Sequence, residues 1–292
     1  MLPNTFIVGA PKCGTTSLWS ILNQHPQIEF SRIKEPNRYN ADLRLAFGSM
    51  RYRDSRLYES LFEDLSATRV GEASVWYLHS RVAIQRLIRA SPDARIFVCL
   101  RPPADAVRSM HAFSFRLGGE DIPDLEAAWN ATSRVAPAGV QVLDSLDYRE
   151  IFRFAEQLER LFEHVPREQV HVVLLEDLQK DPVSSAKEAF EFLDVDPFVP
   201  EAVIANKTAE QADRPFAHIS RRHPRARRLL VRLTTESARA RLRAFGVRVT
   251  RRQSLVPTAS PEFMAKLRDH FQPQVEQLEQ VLQRDLGSWK AR

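Results

Sequence analysis

One lysine, one glycine and three consecutive hydroxyl residues crowd into seven positions near the N-terminus: Pro11, Lys12, Cys13, Gly14, Thr15, Thr16 and Ser17. These residue types suit an anion. Lys12 brings a full positive charge, the hydroxyls donate hydrogen bonds, and a glycine lets backbone amides approach closely. The flanking residues must position them. Thr5-Phe6-Ile7-Val8 is an apolar run long enough for a buried strand, and from Thr15 onward Leu18, Trp19, Ile21 and Leu22 recur at helical spacing. Strand, glycine-bearing loop, helix start: that order aims unbonded backbone N–H groups and the positive end of a helix dipole at one spot. The spot suits a phosphate.

The loop departs from the nucleoside triphosphatase pattern G-x-x-x-x-G-K-[ST]. Gly9 and Gly14 have the right separation, but Thr15 follows Gly14 and the lysine comes earlier, at Lys12. Such a loop cradles an anion without the usual lysine and metal arrangement. The run from Pro11 to Leu18, P-K-x-G-T-T-x-L, resembles the 5′-phosphosulfate loop of sulfotransferases that use 3′-phosphoadenosine 5′-phosphosulfate (PAPS). The resemblance implies a P-loop-like α/β fold and donor contacts from Pro11, Lys12, Cys13, Gly14, Thr15, Thr16 and Ser17. It also implies release of adenosine 3′,5′-bisphosphate.

Lys34-Glu35-Pro36 is similar to the K-E-P segment of the family branch that holds heparan-type and many bacterial members. By that resemblance Glu35 is the general base. The chemistry fits, because an acceptor hydroxyl must lose its proton as the new S–O bond forms. Pro36 biases Glu35 away from helical backbone, so Lys34 and Glu35 are expected on extended chain. Burial is needed to raise the carboxylate into a useful basic range. Relatives continue with His and two aromatics, whereas here Asn37, Arg38 and Tyr39 follow. His111 is the second candidate for the base.

A second anion site is expected near Arg101. Arg95-Ile96-Phe97-Val98-Cys99-Leu100 reads as an interior strand, Arg101 stands where it ends, and Ser109 falls inside the helix that Pro103 starts. R-x-P-x-x-x-x-x-S is similar to the family's 3′-phosphate motif, with Arg101 as a charged fork and Ser109 as a neutral donor. In relatives the loop before the last helix closes over the nucleotide. Arg251 and Arg252, with Arg248, are the residues here that could complete the 3′-phosphate site.

The 292 residues are 43% apolar, enough to bury a full core. Strands alternate with helices, which predicts a three-layer fold with a mainly parallel sheet. One domain over 1–292 is expected, with an Arg-rich helical segment at about 214–252 and a closing helix at about 261–286. The net charge of +5 is uneven: 13 Arg and one acidic residue, Glu236, lie between Arg214 and Arg252. Such a block suits an anionic partner. No apolar run approaches the ~20 residues of a bilayer span, and no signal-like leader is evident. Two cysteines cannot make a disulfide framework or a zinc site, so the expected protein is cytoplasmic and binds no metal. No nucleic-acid partner is expected, and peripheral membrane contact stays open.

Further along, 41–66 has little regular period and is expected to form a mobile region over the acceptor site. Gly71 to Leu78 resembles the family's G-E-K-S-P-x-Y-L, with Glu72, Trp76 and Tyr77 as possible acceptor contacts, and Trp129 is a further one. Tyr148 to His164 reads as one amphipathic helix and Val170 to Leu175 as another interior strand. Glu176-Asp177-Leu178 with Asp181-Pro182, and the R-D-L-x-x-W ending from Arg284 to Trp289, are similar to family segments of structural character. The expected reaction is sulfuryl transfer from PAPS to a hydroxyl, or an amine, of a small-molecule, sugar or lipid acceptor. The alternatives are a P-loop phosphotransferase, or a non-enzymatic binder of anionic partners through the Arg block.

Overall fold

The computed structural model describes residues 2–45, 50–116, 120, 122–131, 141–142, 147–201 and 259–290. The Arg-rich segment, with Arg248, Arg251 and Arg252, lies outside the described residues.

Five strands form one parallel sheet: β1 Thr5–Gly9, β2 Ile28–Phe30, β4 Arg69–Ala73, β5 Arg95–Leu100 and β7 Val170–Leu174, in the order β2-β4-β1-β5-β7. β1 is buried at every residue, which is why it reads as a plain apolar run. From β1 the chain builds outward to β4 and β2 on one side and to β5 and β7 on the other. Strand order therefore reverses beside β1, and ligands of such sheets bind outside the carboxyl ends at this reversal. Short β3 (Leu43–Arg44) and β6 (Gln141–Val142) pair separately.

Helices flank the sheet. They are α1 Thr15–Leu22, α2 Ser55–Glu59, α3 Ala83–Ala90, α4 Pro103–Arg116, α5 Leu125–Asn130, α6 Tyr148–Ile151, α7 Phe154–Phe162, α8 Leu175–Lys180, α9 Pro182–Phe192, α10 Pro261–Leu282 and α11 Gly287–Lys290. α1 packs with α9, while α10 packs with α4 and α7. Leu18, Ile21 and Leu22 bury the inner face of α1, each stabilising by about 1.5–3 kcal/mol. No described helix is long and apolar enough to cross a membrane.

Four expectations change. The stretch from Tyr148 to His164 is two helices, parted at Phe152 and Arg153. The break lies in the backbone, where Phe152 (φ −110°, ψ 24°) and Arg153 (φ −80°, ψ 67°) leave helical torsion while Ile151, Phe152 and Phe154 all stay buried. Val170–Leu174 is an edge strand among the described residues, and Val170, His171 and Val172 stay half-exposed. Within 41–66, Tyr58 and Phe62 are wholly buried and stack edge to face, so this segment packs into the core instead of only covering a site. The closing helix starts at Pro261 with Ser260 as its cap, but stops at Leu282, because Gln283 takes left-handed backbone (φ 52°).

Candidate active site

β1 ends at Gly9, and the loop that follows lies at the reversal point of the sheet. Gly14 caps α1 with φ 92°, a conformation that L side chains rarely adopt. A Cβ there would stand 2.7 Å from Leu175 Cδ1, so space and torsion both call for glycine. The Gly14 carbonyl accepts from Ser17 N and Leu18 N, starting the helix. Ahead of Ser17, the Thr15 and Thr16 N–H groups precede the first helical carbonyl that could accept from them, as at any helix start. Thr16 is exposed and Ser17 half-buried, whereas the Thr15 side chain is buried.

Lys12 also holds a positive φ of 65°, and its Nζ sits 4.1 Å from the centroid of the Phe113 ring. Phe113 stands one helical turn beyond Ser109 on α4, so Ser109 shares the face that meets the loop. Arg101 follows β5 directly. Its Nη1 donates to the Lys12 carbonyl at 3.3 Å, and its Nε is buried without a hydrogen-bond partner. The Cys13 thiol, wholly buried and pushed up to about 12 by that burial, accepts from the Arg101 backbone N–H. The two expected anion-binding elements thus meet at the ends of neighbouring strands, with Cys13 as structural filler between them. An orphaned guanidinium nitrogen beside free helix-start amides fits a ligand with more than one phosphate.

The Lys34–Glu35 turn closes the other side. Lys34 Nζ donates to Thr16 Oγ1 at 2.6 Å, which ties the turn to the loop across 18 residues. Burial lowers the lysine pKa, while neighbouring Glu35 acts to raise it. Glu35 is not extended as Pro36 led us to expect; its φ is 63°. Its N–H donates to the Ala73 carbonyl (2.8 Å) and its Oε2 accepts from Val75 N (3.0 Å). Asn37, also at positive φ (55°), donates from Nδ2 to the Glu35 carbonyl at 2.7 Å. Bonds from both backbone and side chain to one short segment require a tight turn. Such backbone costs on the order of 1–3 kcal/mol per residue and here includes Lys12 and Glu35, the two positions expected from the sequence to carry the chemistry. Burial pushes the Glu35 carboxyl up to about 7, against the opposing pull of Lys34 and of the Val75 N–H. That is a basic range in which a carboxyl exchanges protons near neutrality.

Beneath this turn lies a second carboxylate. Glu72 is wholly buried, and its Oε2 accepts from Tyr58 Oη (2.7 Å) and Tyr77 Oη (3.1 Å). Tyr77 Oη in turn accepts from Arg38 N at 2.8 Å. Glu72 and Tyr77 therefore shape the wall instead of offering themselves to a ligand. Trp129 packs against Phe263, His270 and Phe271 of α10, under the Arg149 guanidinium, which makes it a core residue. His111 is buried on α4 with Nε2 donating to the Ile122 carbonyl at 2.9 Å, between the Phe115 and Tyr148 rings. That ring is engaged in packing.

Sequence reasoning missed the Lys34–Thr16 bond, the Phe113 ring beneath Lys12, and the Glu72 network. Only Phe113 carried a signal, its spacing of four from Ser109.

A sulfotransferase-domain family model matches residues 2–289. Among solved structures, a sulfotransferase from Alicyclobacillus acidocaldarius is similar at 28% identity with a TM-score of 0.74, covering 100% of both chains. The sulfotransferase domain from the curacin biosynthetic pathway shares the fold at 15% identity and a TM-score of 0.50, over 74% of this chain and 82% of that one. Among curated proteins, carbohydrate sulfotransferase 15 of Homo sapiens is 49% identical over 53 residues, which are 18% of this chain and 9% of that protein. Bifunctional heparan sulfate N-deacetylase/N-sulfotransferase 3 of Homo sapiens is 25% identical over 201 residues, 67% of this chain and 23% of that protein. The chain spans under a quarter of the length of these curated relatives.

Proposed function

The chain belongs to the sulfotransferase domain family, and from that premise we propose that it moves a sulfuryl group from PAPS to a hydroxyl, or an amine, of an acceptor. One contact carries the reading: Lys34 Nζ on Thr16 Oγ1 at 2.6 Å brings the carboxylate-bearing turn against the phosphate-type loop. A base and an anion cradle must share one small volume for group transfer, and this bond joins them.

PAPS, when bound, supplies the activated sulfuryl group. Pro11, Cys13 and Gly14 give the loop its shape, while Lys12, Thr15, Thr16, Ser17 and the first-turn amides hold the 5′ end. Lys12 and Lys34 stabilise the negative charge that grows on the departing side. Arg101 and Ser109 take the 3′-phosphate, with Arg251 and Arg252 as further candidates. Glu35 accepts the acceptor's proton at Oε1 or Oε2, and the turn keeps that carboxylate facing the loop. Cationic side chains do the work for which nucleotide kinases use a metal, so transfer needs no magnesium. The names of both curated relatives point to carbohydrate acceptors, and a lipid or another small molecule remains within the reading. Two buried free thiols, Cys13 and Cys99, fit a reducing compartment such as the cytoplasm.

The test is transfer of labelled sulfate from PAPS, in the presence of a chelator, across a panel of sugar, lipid and phenolic acceptors. Adenosine 3′,5′-bisphosphate should bind wild-type protein by calorimetry. No heat with that nucleotide, alongside good binding of ATP with magnesium, would falsify the assignment in favour of the phosphotransferase alternative.

A further inference from the structure

Two segments similar to family sequences, Glu176-Asp177-Leu178 and the R-D-L-x-x-W ending, have no part in the chemistry above, yet they bind each other. The buried Trp289 indole N–H donates to Glu176 Oε1, and Arg284 Nη2 donates to Asp177 Oδ2 at 2.6 Å. α8 carries both acceptors and begins at Leu175, the residue whose Cδ1 lies 2.7 Å from where a Gly14 Cβ would be. The C-terminal end of the fold is thus two residues' reach from the left-handed turn that opens α1. Glu176 is also close enough to the loop for its charge to act on the Cys13 thiol. A carboxylate next to an anion cradle is unfavourable unless something holds it aside. The indole N–H does so.

We propose that Trp289 is a positioning residue for donor binding: it holds the Glu176 carboxylate away from the Pro11–Ser17 loop, and α8 in turn supports Gly14. The proposal rests on the sulfotransferase reading, because it concerns the affinity of that loop for a phosphorylated nucleotide. A loosened Trp289 frees a negative charge beside the 5′-phosphate site. Donor affinity then falls while the proton-transfer geometry at Glu35 is untouched.

The experiment is calorimetry of adenosine 3′,5′-bisphosphate with the full chain, paired with donor KM and kcat. Trp289→Phe keeps a ring in place but removes the donor N–H. It should weaken nucleotide binding and raise donor KM about five- to tenfold, with kcat changed less than twofold. Adding Glu176→Gln to that variant removes the freed charge and should bring affinity back to within about twofold of wild type. A merely structural tryptophan gives a lower melting temperature with unchanged affinity, or a loss that Glu176→Gln does not repair; either result overturns the proposal. Should Trp289→Phe fail to fold, Glu176→Asp shortens the side chain so that its carboxylate leaves the indole N–H while the charge stays, and decides the matter. A two- to threefold loss of affinity supports the clasp, and none overturns it. Wild-type protein that takes up no nucleotide at all removes the donor reading, and this proposal with it.

Discussion

Between Ala10 and Ser17 the groups that the proposed donor would meet are mostly main-chain amides at a helix start, whereas around Glu35 the proposed acceptor would meet side chains on a turn stapled to its neighbour. The first region owes its shape to torsion: Gly14 at φ 92°, Lys12 at φ 65°, and a helix that begins on cue. The second owes its shape to hydrogen bonds between distant segments, from Val75 to Glu35 and from Asn37 N to Ser74 Oγ (3.0 Å), above the buried Glu72 pair with Tyr58 and Tyr77. A cradle of amides recognises a fixed partner, the phosphate, and tolerates little variation. A wall of side chains is free to change with the acceptor. The proposed donor and acceptor ends of the site therefore answer to different rules.

The largest effects should separate the two ends. Lys12→Ala removes the loop's only full charge and should cut kcat/KM at least about 10³-fold, with weaker nucleotide binding. Glu35→Gln should cost transfer about 10²- to 10⁴-fold yet leave the affinity for adenosine 3′,5′-bisphosphate within about threefold. Calorimetry beside single-turnover rates measures both. Full turnover by Glu35→Gln would move the base elsewhere and erase the contrast.

A smaller effect concerns how the two ends are wired. Because Glu35 is pushed up to about 7, kcat should rise with pH below neutrality and level off above it. Lys34 acts to lower that pKa, so Lys34→Met should shift the acid limb to higher pH and cost roughly tenfold in kcat at pH 7. An unmoved limb in that variant means the lysine does not feel the carboxylate, and the two regions are then independent.

What could be read in advance follows the same division. Backbone-made features leave marks at short range: Gly14, the hydroxyls after it, and the apolar run before it announce the loop, and Arg101 follows a strand whose ends are marked by Pro92 and Pro102. The parallel sheet came from the same alternation of strands and helices. Side-chain networks leave no such mark. Glu72, Tyr58 and Tyr77 are 14 and 5 residues apart along the chain, and nothing in their spacing says that two hydroxyls converge on one carboxylate oxygen. Glu35 was expected on extended backbone because Pro36 follows it. The Glu35 N–H instead donates to the Ala73 carbonyl, 38 residues away, across a turn at φ 63°. The break at Phe152 was hidden for a related reason, since three apolar residues in a row of four satisfy a helical template until the core decides which way each must face.

The smallest effect on activity comes from Glu72→Gln, and it probes the acceptor wall through stability. Glu72 is wholly buried and its carboxyl is pushed up to about 7 by desolvation, with the Ser74 hydroxyl and then the Tyr58 and Tyr77 hydroxyls pulling the other way. Below the unfolded value near 4.5, both states are protonated and the fold keeps its full stability. As pH rises from there toward about 7 the unfolded chain ionises first, so stability drains away, by up to about 3 kcal/mol at pH 8. Glutamine cannot ionise and should recover most of that loss at pH 8 while recovering none at pH 4. Its new amide also enters the space where Glu72 Oε1 has no hydrogen-bond partner, at a cost of about 1–3 kcal/mol at either pH. The diagnostic quantity is therefore the difference between the two melting shifts, which cancels that cost: several degrees more favourable at pH 8 than at pH 4. Equal shifts at both pH values would mean that Glu72 is ionised in the fold and belongs, with Glu35, to the reacting groups instead of to the wall behind them.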